Sequence, residues 1–244
     1  MPSPSLKRRA QSSVIGTGLI ASAFDPGAIA ALGATVFASG VSNSQETGIP
    51  AFARERQLLS EALEGAGEGC FIYFSTCSVT DPHRASTPYA LHKLAMEALV
   101  TTRPGFIVLR LPQVVGVTRN PNTLTNFLAD RINRGLPLEV WSNATRCLID
   151  VDTVASLTTT LIGTGRSDLL SDLAPPEIVT MPELVRMMEQ ALGKTAQYKL
   201  VAQGGGGITD PSLAVSMSMQ AGENLEPGYT LRTIQKYYGN RHAG

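Results

Sequence analysis

Cysteine and histidine are scarce in this chain, and their scarcity excludes several classes of protein. Three cysteines (Cys70, Cys77, Cys147) and three histidines (His83, His92, His242) are scattered through 244 residues with no metal-ligand spacing. A zinc centre needs several such ligands arriving in close pairs, so no metal site is expected. The odd cysteine count gives no disulfide framework and fits a reducing compartment. An excess of either charge is also missing. Twenty basic and twenty acidic residues cancel, and the one basic run, Lys7-Arg8-Arg9, reads as a solvated tail. Neither nucleic acid nor an anionic membrane surface is therefore an expected partner. Long apolar runs are absent as well. No stretch approaches the roughly 20 residues of a membrane span, and residues 1–12 lack the apolar core of a signal peptide. The expectation is a globular cytoplasmic protein. Its 43% hydrophobic content is sufficient to bury a core as one domain, or as one large and one small lobe.

The most informative segment is FIYFSTCSVTDPHRASTPYALHKLAMEAL, residues 71–99. FIYFS has the aromatic and β-branched character of a buried strand, and Ser75-Thr76 falls where that strand would end, at the carboxyl edge of a sheet where ligands bind. The stretch from Thr87 to Val100 reads as a helix with Pro88 near its start. On it Tyr89 and Lys93 are four residues apart and share a face. A phenol beside an ammonium is a proton-transfer device: the cation favours the phenolate, and the Thr76 hydroxyl can hydrogen-bond the same substrate oxygen. This chemistry suits interconversion of a carbonyl and an alcohol. An isolated Tyr-x-x-x-Lys also occurs in helices where the tyrosine caps a core and the lysine is solvated, so the pairing with the strand end carries the weight.

Near the N-terminus, Ser13-Val14-Ile15 reads as a short strand running into Gly16-Thr17-Gly18-Leu19-Ile20-Ala21, a GxGxxA turn that a helix should follow. Such glycines let the backbone approach a pyrophosphate, and a helix N-terminus behind them supplies N–H donors. A tight packing turn is the competing explanation.

Together these segments resemble the extended branch of the short-chain dehydrogenase/reductase superfamily, the NAD-dependent sugar-nucleotide epimerases, dehydratases and reductases. The resemblance runs from about Ser13 to Gly239. It implies an α/β fold, a Rossmann-like doubly wound parallel sheet with a small C-terminal substrate lobe. It also implies Tyr89 as catalytic acid/base, Lys93 as its charged partner and a contact to the cofactor ribose, and Thr76 as the hydroxyl of the triad. Gly16, Gly18, Leu19 and Ile20 would hold the cofactor, NAD or NADP. Family dehydratases carry an acidic pair directly after the triad hydroxyl. Here those positions are Cys77 and Ser78, which argues against elimination of water and leaves a reductase or an epimerase. Cys77 is read as a small residue filling a strand end, the alternative being a reactive thiol.

Only about 55 residues separate the glycine turn from the Thr76 strand, room for one further strand unit where relatives spend about twice that length on three. On the family pattern the ATVFASG strand, Ala34 to Ser39, is the family's fourth, with Ser39 and Gly40 beside the cofactor. The sheet is then shortened by about two strands, and the acid that usually binds the adenosine ribose is gone. A helix follows from about Pro50 to Gly65, with Phe52, Leu58, Leu59 and Leu63 at near-helical spacing. Relatives pair this helix and the one at residues 87–100 into a dimer interface, so a homodimer is implied.

The apolar strand at residues 106–111 leads into Pro112-Gln113. In the family pattern Leu111 borders nicotinamide and Gln113 binds substrate, although Gln113 also reads as a plain strand exit. Asn122 and Thr123 fall where relatives contact a nucleotide diphosphate or base, or they cap the helix that runs to about Asn133. Leu136 to Val140 and Leu148 to Val151 read as strands. Arg146 between them matches an arginine that grips the diphosphate of a nucleotide sugar, the alternative being an ion pair with Asp150 or Asp152. Helices are expected from Met181 to Gly193 and from Thr230 to Tyr238, and Gly204 to Gly207 reads as a flexible loop. The division expected is a tail at 1–12, a shortened nucleotide-binding unit at 13–116, and a substrate lobe at 117–244. The two functions set against each other are an enzyme on a nucleotide-activated sugar and a sugar-nucleotide binding or accessory protein that no longer holds a dinucleotide. A non-redox enzyme on the same scaffold is the third.

Overall fold

The computed structural model describes residues 13–239; the expected tail at 1–12 lies outside them. The elements in chain order are β1 (Val14–Ile15), a 3-10 turn (Ala21–Ala23), α1 (Pro26–Ala31), β2 (Ala34–Phe37), α2 (Ile49–Gly65), β3 (Cys70–Thr76), α3 (Pro88–Val100), β4 (Phe106–Leu111), β5 (Gln113–Val115), α4 (Leu124–Asn133), β6 (Leu138–Trp141), β7 (Thr145–Asp150), α5 (Val151–Gly163), β8 (Leu169–Asp172), β9 (Ile178–Thr180), α6 (Met181–Leu192), β10 (Tyr198–Val201), α7 (Ser212–Ala221) and α8 (Tyr229–Tyr238).

Five parallel strands form the central sheet in the order β1-β2-β3-β4-β8. Because side chains alternate across a strand, β3 sends Ile72 and Phe74 to one face and Phe71 and Tyr73 to the other. The first pair packs with Val36, Leu109, Val154, Leu157 and Leu161, so that face is covered by α5. The second pair packs with Phe37, Leu59, Met96 and Val100 under α2 and α3. Both faces are covered, as a parallel sheet requires. The fold is a Rossmann-like α/β sheet, and among the described residues β1 forms one edge and β8 the other. A second core, built on Leu128, Leu148, Leu184, Val185, Met188 and Ile234, joins α4, α6 and α8 to the small strands.

Local signals account for the element ends. Thr87 caps α3 by accepting from the Ala90 N–H. Thr180 and Glu183 form a reciprocal capping box on α6, and Gly193 closes that helix at φ 62°. Four expectations need correction. No long helix follows the glycine turn: one 3-10 turn and the six residues of α1 stand there, with Pro26 at the start of α1. The strand read to Val151 stops at Asp150, whose carboxylate accepts from the Asp152 N–H and starts α5. The strand read over Leu136–Val140 pairs over Leu138–Trp141. The glycine run is not open chain: Cβ atoms at Gly204 and Gly205 would fall 2.7 Å from Ala144 Cβ and His83, and one at Gly206 would overlap Thr145 Oγ1. Those missing side chains allow close packing against β7 and the loop after β3.

Candidate active site

The carboxyl ends of β1, β2, β3 and β4 surround a cavity of about 440 Å³, within the size range of small-molecule sites. Tyr89, Lys93 and Thr76 all line it, together with Gly18, Leu19, Ile20, Ser39, Gly40, Leu111, Gln113, Asn122 and Thr123. Gly16 lies just behind this wall at φ 135°, where a Cβ would overlap the Ala38 carbonyl oxygen. That glycine therefore permits β1 and β2 to exit side by side. The steric need is met whether or not a phosphate binds, and the short turn behind it supplies no long helix dipole.

Thr76, Tyr89 and Lys93 are held by different means. Thr76, at the end of β3, accepts the Ser78 N–H through Oγ1 at 3.1 Å, which fixes its rotamer and leaves its own proton free to donate. Tyr89 sits in the first turn of α3, is 8% exposed and lines the cavity. Lys93, one turn later, is 3% exposed and places Nζ 6.0 Å from the centre of the Tyr89 ring.

The ammonium is also engaged from below. Lys93 Nζ donates to Glu55 Oε1 at 2.9 Å and to the Tyr73 hydroxyl at 3.1 Å, with the Phe74 carbonyl at 3.5 Å. Glu55, on α2, is fully buried. Burial alone would raise its carboxyl, but the hydrogen bond from His92, the charge of Lys93 and the Val41 N–H outweigh it and hold the group at about 2. Tyr73 is pushed well above the ordinary tyrosine range by burial and by Glu55, so its hydroxyl stays protonated and donates to Glu55 Oε1 at 2.7 Å. His92, three residues after Tyr89 and next to Lys93 in the chain, stacks on Phe52 with ring centres 4.5 Å apart and reaches Glu55 Oε2 at 3.1 Å.

Glu55 and Tyr73 escape a reading of the sequence by function. The signal was present: Phe52, Glu55 and Leu59 share one helical face, and an acid on an otherwise inward face calls for a buried partner. A second buried acid, Glu97, receives the Ser75 hydroxyl at 2.5 Å and Nε and Nη2 of the Arg110 guanidinium at 2.9 and 2.7 Å, bracing β3 and β4 against α3. Cys77 donates to the Arg110 carbonyl at 3.4 Å, and burial together with nearby Asp172 pushes its thiol well above the ordinary cysteine range. It is a packed thiol.

Arg146, like Gly16, is an expected site residue that is not part of the cavity wall. Its guanidinium donates to Thr145 O at 2.6 Å and Gly205 O at 3.4 Å, and burial and the charge of Arg84 lower its proton affinity. The alternative pairing with Asp150 or Asp152 is not formed either. Lys236 holds both carboxylates, at 2.6 and 2.7 Å. Thr123 caps α4 by accepting the Asn126 N–H while also lining the cavity. Among the described residues no group of three or more His, Cys, Asp or Glu side chains could hold a metal, and no helix is long and apolar enough to cross a membrane.

Several solved structures share this fold. A UDP-glucuronic acid 4-epimerase from Bacillus cereus, in complex with UDP-glucuronic acid and NAD, aligns with a TM-score of 0.65 at 17% identity, covering 86% of this chain and 77% of its own. A dTDP-glucose 4,6-dehydratase from Bacillus anthracis, in complex with NAD, gives 0.63 at 17% identity over 82% and 70%. RMD from Pseudomonas aeruginosa, complexed with NADPH, gives 0.60 at 19% over 82% and 80%. At these identities the likeness is one of fold. Among curated proteins, none matches the chain in sequence. Residues 18–169, well over half of the chain, match the NAD dependent epimerase/dehydratase family, and to that family the chain belongs.

Proposed function

We propose that this chain is an NAD(P)-dependent reductase or epimerase acting on a nucleotide-activated sugar, with Tyr89, Lys93 and Thr76 as its catalytic residues. The supporting observation is the meeting of these three side chains on the wall of one cavity, at the carboxyl edge of a parallel sheet. A bound nicotinamide would supply or accept the hydride. The Tyr89 hydroxyl gives its proton to a substrate carbonyl oxygen, or its phenolate takes the proton of a sugar hydroxyl, while the Thr76 hydroxyl donates to the same oxygen. Lys93 places its positive charge beside the phenol and stabilises the phenolate.

On the nicotinamide side the residues fit such a cofactor: Leu111 and Lys93 border the cavity, and at Gly40 a Cβ would fall 2.6 Å from Lys93 Nζ, so only backbone stands between the β2 exit and the lysine. Thr17, Gly18, Leu19, Ile20 and Ser39 would take the diphosphate side. Gln113, Asn122 and Thr123 would meet the nucleotide sugar, and Arg146 would contribute only after its side chain turned from Gly205. The solved relatives bind NAD or NADPH, and one of them binds UDP-glucuronic acid, which supports these ligand classes. A homodimer through α2 and α3 is part of the same reading. Leu91, Ala95 and Ala98 leave an exposed apolar stripe on α3, with Leu91 54% exposed.

One observation favours a second reading. The sheet ends at β1 and a short turn replaces the usual helix behind the glycines, so a sugar-nucleotide binding protein without a firmly held dinucleotide is the competing function. Titration with NAD⁺, NADH, NADP⁺ and NADPH separates the two. The enzyme reading expects at least one of them to bind. Binding of a nucleotide sugar with none of the four would reject it.

A further inference from the structure

Glu55 does not line the cavity, yet every group it holds belongs to the cavity wall or to its support. Four donors converge on its two oxygens. Oε1 accepts from Lys93 Nζ at 2.9 Å and from the Tyr73 hydroxyl at 2.7 Å, while Oε2 accepts from the Val41 N–H at 2.7 Å and lies 3.1 Å from His92 Nε2. These donors come from α3, β3 and the segment that leaves β2. Val41 follows Ser39 and Gly40, and all three line the cavity. One carboxylate on α2 therefore ties the β2 exit to the lysine.

The contact is close enough to fix both parts. A Cβ on Gly40 would stand 2.6 Å from Lys93 Nζ and 3.0 Å from Glu55 Oε1, so the loop backbone runs directly over the ion pair. For stability alone such a pair is a poor choice. Removing two charges from water costs about as much as their attraction returns, and well-packed apolar side chains of the same volume do as well or better. The directional work is different. Lys93 has three N–H donors, and Glu55, Tyr73 and Phe74 receive them from beneath. Without the carboxylate, the partners left among the described residues are a neutral hydroxyl and a carbonyl at 3.5 Å, and the ammonium is free to swing into the water of the cavity.

We propose that Glu55 is a positioning residue: it sets where the Lys93 ammonium stands beneath Tyr89, and it locks the Ser39–Val41 segment to that position. The proposal rests on the reading of the cavity as a nicotinamide site, and two measurements keep the two ideas apart. The first needs no cofactor. Brief treatment with acetic anhydride, followed by peptide mass spectrometry, reports the accessibility of each lysine amine. Lys93 should be among the slowest in the native chain. In Glu55→Gln it should react roughly tenfold faster, while exposed Lys194 keeps its native rate. The second is titration by fluorescence with NADH or NADPH, whichever the native chain binds, in which Glu55→Gln should bind about tenfold more weakly, the equivalent of about 1.4 kcal/mol.

Asp150→Asn is the control, because it breaks the contacts of a buried carboxylate with Lys236 and Tyr237 of α8 and loses stability at a residue outside the cavity lining. It should leave both readouts unchanged. Should Glu55→Gln fail to fold, Tyr73→Phe removes one hydrogen bond from each member of the pair and no charge, and should shift both readouts about threefold in the same directions. Folded variants with native Lys93 acetylation would overturn the proposal, and so would faster acetylation with unchanged affinity for that dinucleotide. A native chain that binds none of NAD⁺, NADH, NADP⁺ and NADPH, with Lys93 still unmasked in Glu55→Gln, would reject the nicotinamide reading and uphold the hold of Glu55 on the lysine.

Discussion

Replacing Glu55 by glutamine should destabilise the protein in a way that depends on pH, and the direction follows from the geometry. The native carboxyl sits at about 2 because Lys93, His92 and Val41 outweigh its burial, whereas in the unfolded chain it titrates near its ordinary value of 4.5. A depressed folded value means that the group contributes stability above the unfolded value and loses it as pH falls from 4.5 through about 2. A shift of that size corresponds to about 3 kcal/mol, similar to the cost of breaking a buried ion pair by removing one partner. Urea unfolding of the native chain and of Glu55→Gln, compared at about pH 7 and about pH 3, tests this. The gap should be about 3 kcal/mol at the higher pH and should shrink at the lower one. A gap of the same size at both, or no gap at neutral pH, would refute the reasoning.

Three further outcomes follow from the same coordinates. Gly40→Ala should cost about 1–3 kcal/mol by overpacking, because its methyl would press on Lys93 Nζ and Glu55; thermal melting measures the loss, and affinity for NADH or NADPH, whichever binds, should fall with it. Asp150→Asn should destabilise by about 1–3 kcal/mol through lost hydrogen bonds to Lys236 and the Tyr237 hydroxyl, read by the urea midpoint, with dinucleotide binding unchanged. Gly206→Ala should lower the melting temperature, because its side chain would collide with Thr145, whereas a truly open loop would tolerate it.

Much of the architecture was legible because local and global signals agree. The strand-to-helix unit from Phe71 to Val100 announces itself through an alternating aromatic strand, the Thr87 cap and Pro88 at the first turn. The capping box at Thr180 and the stop at Gly193 do the same for α6. Helix α5 was hidden because Val151, Thr153, Val154 and Thr158 are β-branched and weaken the helical signal; burial against the sheet overrides that preference. A helix after the glycine turn was expected, but not that it would be cut to six residues starting at Pro26. The positions lining the cavity followed from the order of the family's landmarks along the chain. What patterns could not convey was connection through space: that Glu55, eighteen residues before Tyr73, closes a hydrogen-bond cluster with it, or that Arg146 turns toward Gly205 instead of the cavity. Such contacts depend on which loops pass one another, and the glycine run at 204–207 shows how closely they do.

The most direct test of the account compares the native chain with Tyr89→Phe, each loaded with NAD⁺ or NADP⁺ and mixed with a panel of nucleotide sugars, following nicotinamide reduction and sugar-nucleotide affinity. The native chain should transfer hydride with at least one of them. Tyr89→Phe should lose about 10²–10⁴ of that rate while its affinity for the sugar stays nearly unchanged, since the hydroxyl serves proton transfer. An equal rate in the variant, or native turnover with no nicotinamide bound, would contradict the assignment of Tyr89 as the proton carrier of a hydride-transfer site.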